Sequence, residues 1–329
     1  MTNTTFLTRR RALQWAAAAS ASSALTVFGQ SDWPQGKAVT FVVPFTAGSG
    51  TDVIARTIAE KLGPLLGAQI VIDNKTGAGG TVGAALVAKA PADGYTLLIV
   101  APDLAINQSL IAKLPYTVED FAPVTLAAWS PMVLALNPTL KINTPKELVD
   151  YARAKPNALR FASGGNGTGS HLALELFKSK AAVNIIHVPY RGVGPATTDL
   201  LGGQVDGMFL QMAIAKRHAV AGKLQAIATP SPSRVQAMAD VPTLSETVVP
   251  GFDVVPWFGV VAPAGTPAPI IQRLHTELQA ILASPEVKTT LSDQGAEAVS
   301  VGPEPFGRFI RSEVNRWAEV IKQSGVKVD

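Results

Sequence analysis

The chain has 329 residues, 47% of them hydrophobic and 16% charged, a balance that suits about two globular domains with sizeable cores. Its 28 Lys and Arg against 24 Asp and Glu give a formal charge of +4, and it contains no cysteine, which excludes thiol catalysis and thiolate metal sites. Beyond the N-terminal segment, no apolar run reaches the ~18 residues that a membrane span requires.

Thr8-Arg-Arg-Arg-Ala-Leu13 followed by the apolar stretch Trp15 to Phe28 has the charged-then-apolar order of an export signal, and the adjacent arginines point to the twin-arginine variant. A signal over residues 1–29 predicts a mature chain starting near Gln30. Its removal takes three arginines and no acids, so Lys and Arg fall from 28 to 25 against 24 acids. The basic character therefore belongs to the precursor. A near-neutral mature chain gives no electrostatic reason to expect nucleic acid as a partner.

A strand is expected over Val39 to Val43, and Val53, Ile54, Ile58 and Leu62 then recur at helical spacing. Ile70 to Ile72, Leu97 to Val100, Leu159 to Ala162 and Ile185 to Val188 repeat the plan, each followed by a polar or glycine-bearing loop and a helical pattern. Such βα chains predict α/β architecture with largely parallel sheets and ligands beyond the carboxyl ends of the strands. Ala122 to Asn137 is strand-like over an unusual length, broken only at Ser130-Pro131, and Val254 to Ala262 is similar around Pro256. Both segments are expected to cross between domains. The predicted division is 30–130 plus 257–329 for a discontinuous first domain and 131–256 for an inserted second one. Two C-terminal amphipathic helices, one carrying Ile270, Leu274, Leu278 and Ile281, the other Phe306, Ile310, Trp317 and Ile321, are expected to bury their stripes in the core.

Two strand-to-helix junctions stand out, Pro44-Phe-Thr-Ala-Gly-Ser-Gly-Thr-Asp52 and Ser163-Gly-Gly-Asn-Gly-Thr-Gly-Ser-His171. Glycines let successive backbone amides turn inward, and the following helix adds unpaired N–H donors and partial positive charge, so each junction can hold an anion. Two cradles on one chain suggest a clamp. Gly77-Ala-Gly-Gly-Thr-Val-Gly83 imitates the dinucleotide fingerprint of an NAD(P)-dependent oxidoreductase, but Asp73 to Thr76 separate it from the strand, where the tight turn belongs. Lys75-Thr-Gly77 and Ser324-Gly-Val-Lys327 stand in the wrong order for an acyl-enzyme, and no Gly-x-Ser-x-Gly elbow or His-x-x-x-His pair occurs. No catalytic constellation is found.

Val43-Pro-Phe-Thr-Ala-Gly-Ser-Gly-Thr-Asp52, Asp73-Asn-Lys-Thr-Gly-Ala-Gly-Gly80, Ala92-Asp-Gly-Tyr-Thr-Leu97, Phe161-Ala-Ser-Gly-Gly-Asn-Gly167, His187-Val-Pro-Tyr-Arg-Gly192 and Asp199-Leu-Leu-Gly-Gly-Gln-Val-Asp206 together resemble the tripartite tricarboxylate transporter substrate-binding proteins, the Bug-type or TctC-like receptors. Trp257-Phe-Gly and Ala262-Pro-Ala-Gly-Thr-Pro267 extend the match, which runs from about Trp33 to Val328. The resemblance implies a periplasmic binding protein of type II-like fold, two α/β domains with a ligand cleft between them. It further implies a monomer without catalysis, cofactor or metal that takes a small organic carboxylate (a di- or tricarboxylate, an amino acid or an aromatic acid) to a membrane permease of the tripartite type. A sensor presenting its ligand to a membrane histidine kinase uses the same closed surface and stays open as an alternative.

Carried over by motif, the ligand contacts fall to Phe45, Thr46, Ala47, Gly48, Ser49, Gly50 and Thr51 in the first domain and to Ser163, Gly164, Asn166, Gly167 and Thr168 in the second. Tyr190, Arg191 and Gly192 are expected to line the second-domain wall, with Asp206 at the cleft. Asp52 reads first as a helix-turn acid. His171 is either a donor to the ligand or structural, and His187 is divided between pocket and packing. Asp103 stands where the family commonly has small or hydroxyl side chains. In the pocket it argues for an amino or hydroxy acid, and otherwise it caps its helix. Leu210-Gln211-Met212-Ala213 also departs from the family pattern, in the far wall of the pocket.

Overall fold

The computed structural model describes residues 33–324, so the export segment over residues 1–29 lies outside the described residues. From Pro34 onward the chain forms one compact unit built on two sheets. The first half runs β1 (Val39–Val43), α1 (Gly50–Leu66), β2 (Ile70–Asn74), α2 (Thr81–Ala88), β3 (Thr96–Val100), α3 (Asp103–Leu110), β4 (Phe121–Trp129), β5 (Met132–Leu136) and α4 (Pro145–Ala154). There follow β6 (Arg160–Ser163), α5 (Gly169–Ala181), β7 (Ile186–Pro189), α6 (Val193–Leu201), β8 (Gly207–Gln211), α7 (Met212–Val220), β9 (Gln225–Ala228) and α8 (Leu244–Thr247). The chain closes with β10 (Trp257–Pro263), α9 (Ala268–Ala283), α10 (Pro285–Asp293), β11 (Glu297–Val301) and α11 (Pro303–Ser324).

The first sheet has the order β11-β4-β10-β3-β1-β2 and the second β7-β6-β8-β5-β9. Neither is largely parallel. β1 runs parallel to β2 and β3, and β6 parallel to β7 and β8, but β10 is antiparallel to β3 and β4, β11 to β4, and β5 to β8 and β9. The reason lies in the crossings. β4 leaves the first sheet at Trp129, β10 re-enters it at Trp257, and those two residues face each other in register, so outgoing and returning strands must run in opposite directions.

The long apolar stretch from 122 to 137 is thus two strands in two sheets, separated at Ser130-Pro131. The crossings are bonded to one another, Ser130 N–H donating to the Pro256 carbonyl at 2.8 Å. Helix α11 buttresses the return: a single oxygen of the buried Glu313, Oε2, accepts from both Trp257 Nε1 and Trp317 Nε1 at 3.0 Å. Arg316 bonds Glu313 Oε1 at 2.9 Å and also donates to the Asp253 carbonyl. One apolar cluster runs through both sheets, from Val42, Leu98, Trp257 and Phe306 to Phe161, Phe177, Phe209 and Phe252. This shared core packs elements of the first sheet against those of the second.

Candidate ligand-binding cleft

Each cradle is a short loop whose shape is fixed from beneath. After β1, the chain reaches Ser49 in an extended conformation, and its Oγ caps α1 by accepting from Asp52 N–H at 3.3 Å. Asp52, 2% exposed, then turns its carboxylate back under the loop. Its Oδ2 accepts from Gly48 N–H at 2.8 Å and Arg56 Nε at 2.9 Å, while Oδ1 accepts from Arg56 Nη2 at 3.1 Å and Asn74 Nδ2 at 2.9 Å. Asn74 Nδ2 also donates to the Phe45 carbonyl at 3.0 Å. Burial pushes the Asp52 carboxyl up, but the Arg56, Gly48 and Asn74 hydrogen bonds outweigh it and hold the group below the usual carboxylate range. Among the described residues, the amides of Phe45, Thr46, Ala47, Gly50 and Thr51 have no acceptor.

The second cradle follows β6, and its amides are held by uncharged side chains. Ser163 Oγ accepts from Gly165 N–H at 3.1 Å and is joined to His187 Nε2 at 2.6 Å. Gly164 N–H donates to Ser170 Oγ, and Gly167 N–H to His171 Nδ1, each at 3.1 Å. Thr168 Oγ1 donates to the Gly165 carbonyl at 2.7 Å. The two imidazoles stack with centroids 4.0 Å apart and planes 16° from parallel. Burial, reinforced by the nearby Lys178 ammonium, lowers the pKa of His171 to about 4; burial and then His171 itself do the same for His187. Both rings are neutral at pH 7. Since Gly167 N–H donates to Nδ1, His171 carries its proton on Nε2. Four amides of this loop, those of Gly164, Gly165, Gly167 and Thr168, are engaged internally, which leaves Asn166, Gly169, Ser170 and His171 with amides that have no acceptor among the described residues.

His171, His187 and Glu175 bring potential metal-ligand atoms within 4.8 Å of one another, but the geometry does not suit an ion. Stacked rings hold their lone pairs in two nearly parallel planes, and one ion cannot lie in both. Glu175 is moreover taken by Lys178, 2.8 Å away. The cluster supports the loop.

The second cradle meets the first sheet's side at the turn before α2 and at α3. A Cβ built on Gly79, in the turn before α2, would lie 3.7 Å from the Asn166 carbonyl; one on Gly167 would lie 3.5 Å from Leu110 and 3.7 Å from Asn107 Oδ1. Asn107 Nδ2 donates to the Gly79 carbonyl at 3.0 Å. Tyr190 and Gly192 extend the β6–β7 ladder alongside the second loop, their amides donating to Ser163 and Gly164 at 3.1 Å, but the Tyr190 hydroxyl is committed to Asp199 at 2.6 Å and Arg191 is exposed. Asp206 does not join the cleft. It precedes β8, and because β8 runs parallel to β6 it lies at the amino end of both strands, where its Oδ2 accepts from Arg160 N–H at 2.6 Å. Asp103 opens α3, but Pro102 is the cap residue and the Asp103 side chain makes no capping bond. Its carboxyl is buried beside Gly80 and Phe45.

Residues 54–326 match the family model described as tripartite tricarboxylate transporter family receptor. Protein BugT of Bordetella pertussis is 39% identical over 293 residues, 88% of this chain and 90% of BugT. The chain belongs to this receptor family. Among solved structures, R. palustris Rpa4515 with adipate superimposes with a TM-score of 0.83 at 36% identity, covering 90% of the receptor and 99% of that chain. MatC from Rhodopseudomonas palustris with bound malate gives a TM-score of 0.80 at 34% identity, over 87% and 99%. The receptor accordingly has the two-sheet α/β fold of periplasmic binding proteins and is a solute-binding receptor.

Asn74, Asn107 and Ser170, which tie the loops to their surroundings, were not expected from sequence. Asn74 alone carried a signal, as one of the two polar residues that end β2 after Ile70-Val-Ile72. A cavity of about 420 Å³ lies elsewhere, at the crossings, among Trp129, Ser231, Arg234, Phe309 and Arg316. It shares no residue with either loop.

Proposed function

We propose that the receptor captures a small organic carboxylate between Phe45–Thr51 and Ser163–Thr168 and delivers it to a membrane permease of the tripartite tricarboxylate type. The observation that carries this reading is the pair of glycine cradles at strand ends, each with amides left without an acceptor, the second with Asn166 and Gly167 in reach of Gly79, Asn107 and Leu110 on the first sheet's side. An anion between them gains donors from both loops at once. Closure is favoured only by that differential contact. The adipate and malate bound by relatives of the same fold support a carboxylate as the ligand class.

On this reading the two sheets are the cores of two domains, 30–130 plus 257–329 and 131–256, hinged at Ser130-Pro131 and Val254–Pro256. The protein works as a monomer in the periplasm after loss of a twin-arginine signal. The amides of Ala47, Gly50 and Thr51 and those of Asn166, Gly169 and Ser170 supply the anion contacts, directly or through water. Tyr190 to Gly192 act as wall rather than ligand donors.

Gly50→Pro tests the model. Ser49 is already extended, so proline fits the first helical position and deletes one amide while leaving the cap. Gly50→Ala, whose Cβ would sit 3.6 Å from the Phe258 ring, keeps the amide. Calorimetric titration against a carboxylate panel should show the proline variant at least ~10-fold weaker than the alanine variant at equal melting temperature. Equal affinities would remove the first cradle from the site.

A further inference from the structure

Asp103 holds a carboxyl that nothing in the protein answers. It is 6% exposed, its Oδ1 has no hydrogen-bond partner among the described residues, and burial raises its pKa to about 8, opposed only by its own backbone amide. The groups around it are Gly80 and Thr81 at the start of α2, Phe45 of the first cradle, Asn107 one turn along α3, and Tyr116 ahead of β4, none of them cationic. The seat is specific: Asp103 Oδ2 stands where a Cβ at Gly80 would have to lie. It also belongs to the cleft, because Asn107 on the same face of α3 reaches Gly79 of one side and faces Gly167 of the other.

We propose that Asp103 receives an ammonium group of the ligand, so that the receptor takes an amino acid whose carboxylate lies in the cradles. This rests on the carboxylate reading given above. An acid without an amine would bring a second negative group, or none, to a carboxyl that lacks a countercharge. An amino acid brings its own. Binding the ammonium then requires the ionised carboxyl, so Asp103 releases its proton on binding below pH 8 and affinity rises with pH toward that value, by at most tenfold per unit.

The test is calorimetric titration of the purified protein with the twenty common amino acids and with succinate, glutarate, propionate and 3-phenylpropionate, the amine-free counterparts of aspartate, glutamate, alanine and phenylalanine. The expected result is one or a few amino acids bound at least 50-fold more tightly than any amine-free acid, with affinity increasing from pH 6 to pH 8. Asp103→Asn should cost that amino acid at least 50-fold while leaving its amine-free counterpart unchanged or tighter, with the melting temperature reporting an intact fold. Any amine-free acid that outbinds every amino acid overturns the proposal. Affinity that falls with rising pH also overturns it, by making protonated Asp103 a donor to a second carboxylate. Failure of every acid, with and without an amine, overturns the carboxylate reading itself and the proposal with it.

Discussion

The loop after β1 is held from beneath by a buried carboxylate and an arginine, the loop after β6 by two uncharged imidazoles and a serine. Both devices occupy loop amides so that a fixed subset points outward, yet they differ in what can undo them. A salt-bridged carboxylate keeps its charge over most of the pH range but loses Coulomb energy to added salt. A neutral histidine is indifferent to salt but surrenders its acceptor lone pair when protonated. The charge also matters to the ligand. Asp52 would repel an anion above it were Arg56 not paired with it at 2.9 Å, whereas the second loop carries no such liability.

Removing Asp52 should have the largest effect. Asp52→Ala strands the Gly48 amide, the Arg56 guanidinium and the Asn74 amide at once, at a cost on the order of 2 kcal/mol in stability and at least ~100-fold in ligand affinity. Differential scanning calorimetry and titration check the two parts. A variant that binds normally would mean that the loop holds its shape unaided. His171→Leu should come next, at roughly 10-fold or more in affinity, because the Gly167 amide loses its acceptor. His171→Asn, which sets an amide oxygen where Nδ1 stands, should recover most of it.

Acid separates the loops without mutation. The folded-state pKa of about 4 for His171 and His187 lies below the ordinary 6.5, so their neutral forms contribute stability that is fully present above pH 6.5 and is lost as pH falls from there to about 4. Asp52 is shifted down as well, and its contribution is present above its ordinary 3.8 and lost only below it. Between pH 6.5 and 4 the two histidines should therefore draw down the stability of the fold while Asp52 does not, and the second loop itself loses its acceptors only near pH 4 and below. The melting temperature should drop by about 5 °C or more across that window, and the double variant His171→Asn, His187→Asn should flatten the curve. An unchanged slope in that variant would place the acid-sensitive group elsewhere.

Strand β1 was legible as a continuous apolar run and the helices α9 and α11 because one face of each is apolar at a clean period, and the break at Ser130-Pro131 marked where one sheet gives way to the other. β8, β9 and β11 were not, since Gly207–Gln211 and Gln225–Ala228 are short and the partner that buries them, β5, lies about seventy to ninety positions away in the chain. The cradles were visible as glycine runs at strand ends, but their supports were not. His171 and His187 are sixteen residues apart and stack only because β7 lies parallel to β6, which brings His187 opposite Phe161. Asp206 was misplaced for the related reason that a parallel strand begins, rather than ends, beside the start of its neighbour.

Arg56→Gln should give the smallest change and the most informative one. Arg56 is 53% exposed, so the pair itself is worth no more than about 1 kcal/mol, and Gly48 and Asn74 still hold the Asp52 carboxylate when it is gone. The loop should therefore keep its shape. What the variant loses is the neutralisation of a buried negative charge one turn below the ligand, and that loss scales with the charge of the ligand. A dicarboxylate should weaken by up to about 5-fold, while a zwitterionic amino acid, carrying its own positive group, should weaken less. Raising the salt should narrow the difference between variant and parent. If both ligand classes lose equally and salt has no influence, Arg56 acts on the loop as a brace and the Coulomb account of the first cradle is wrong.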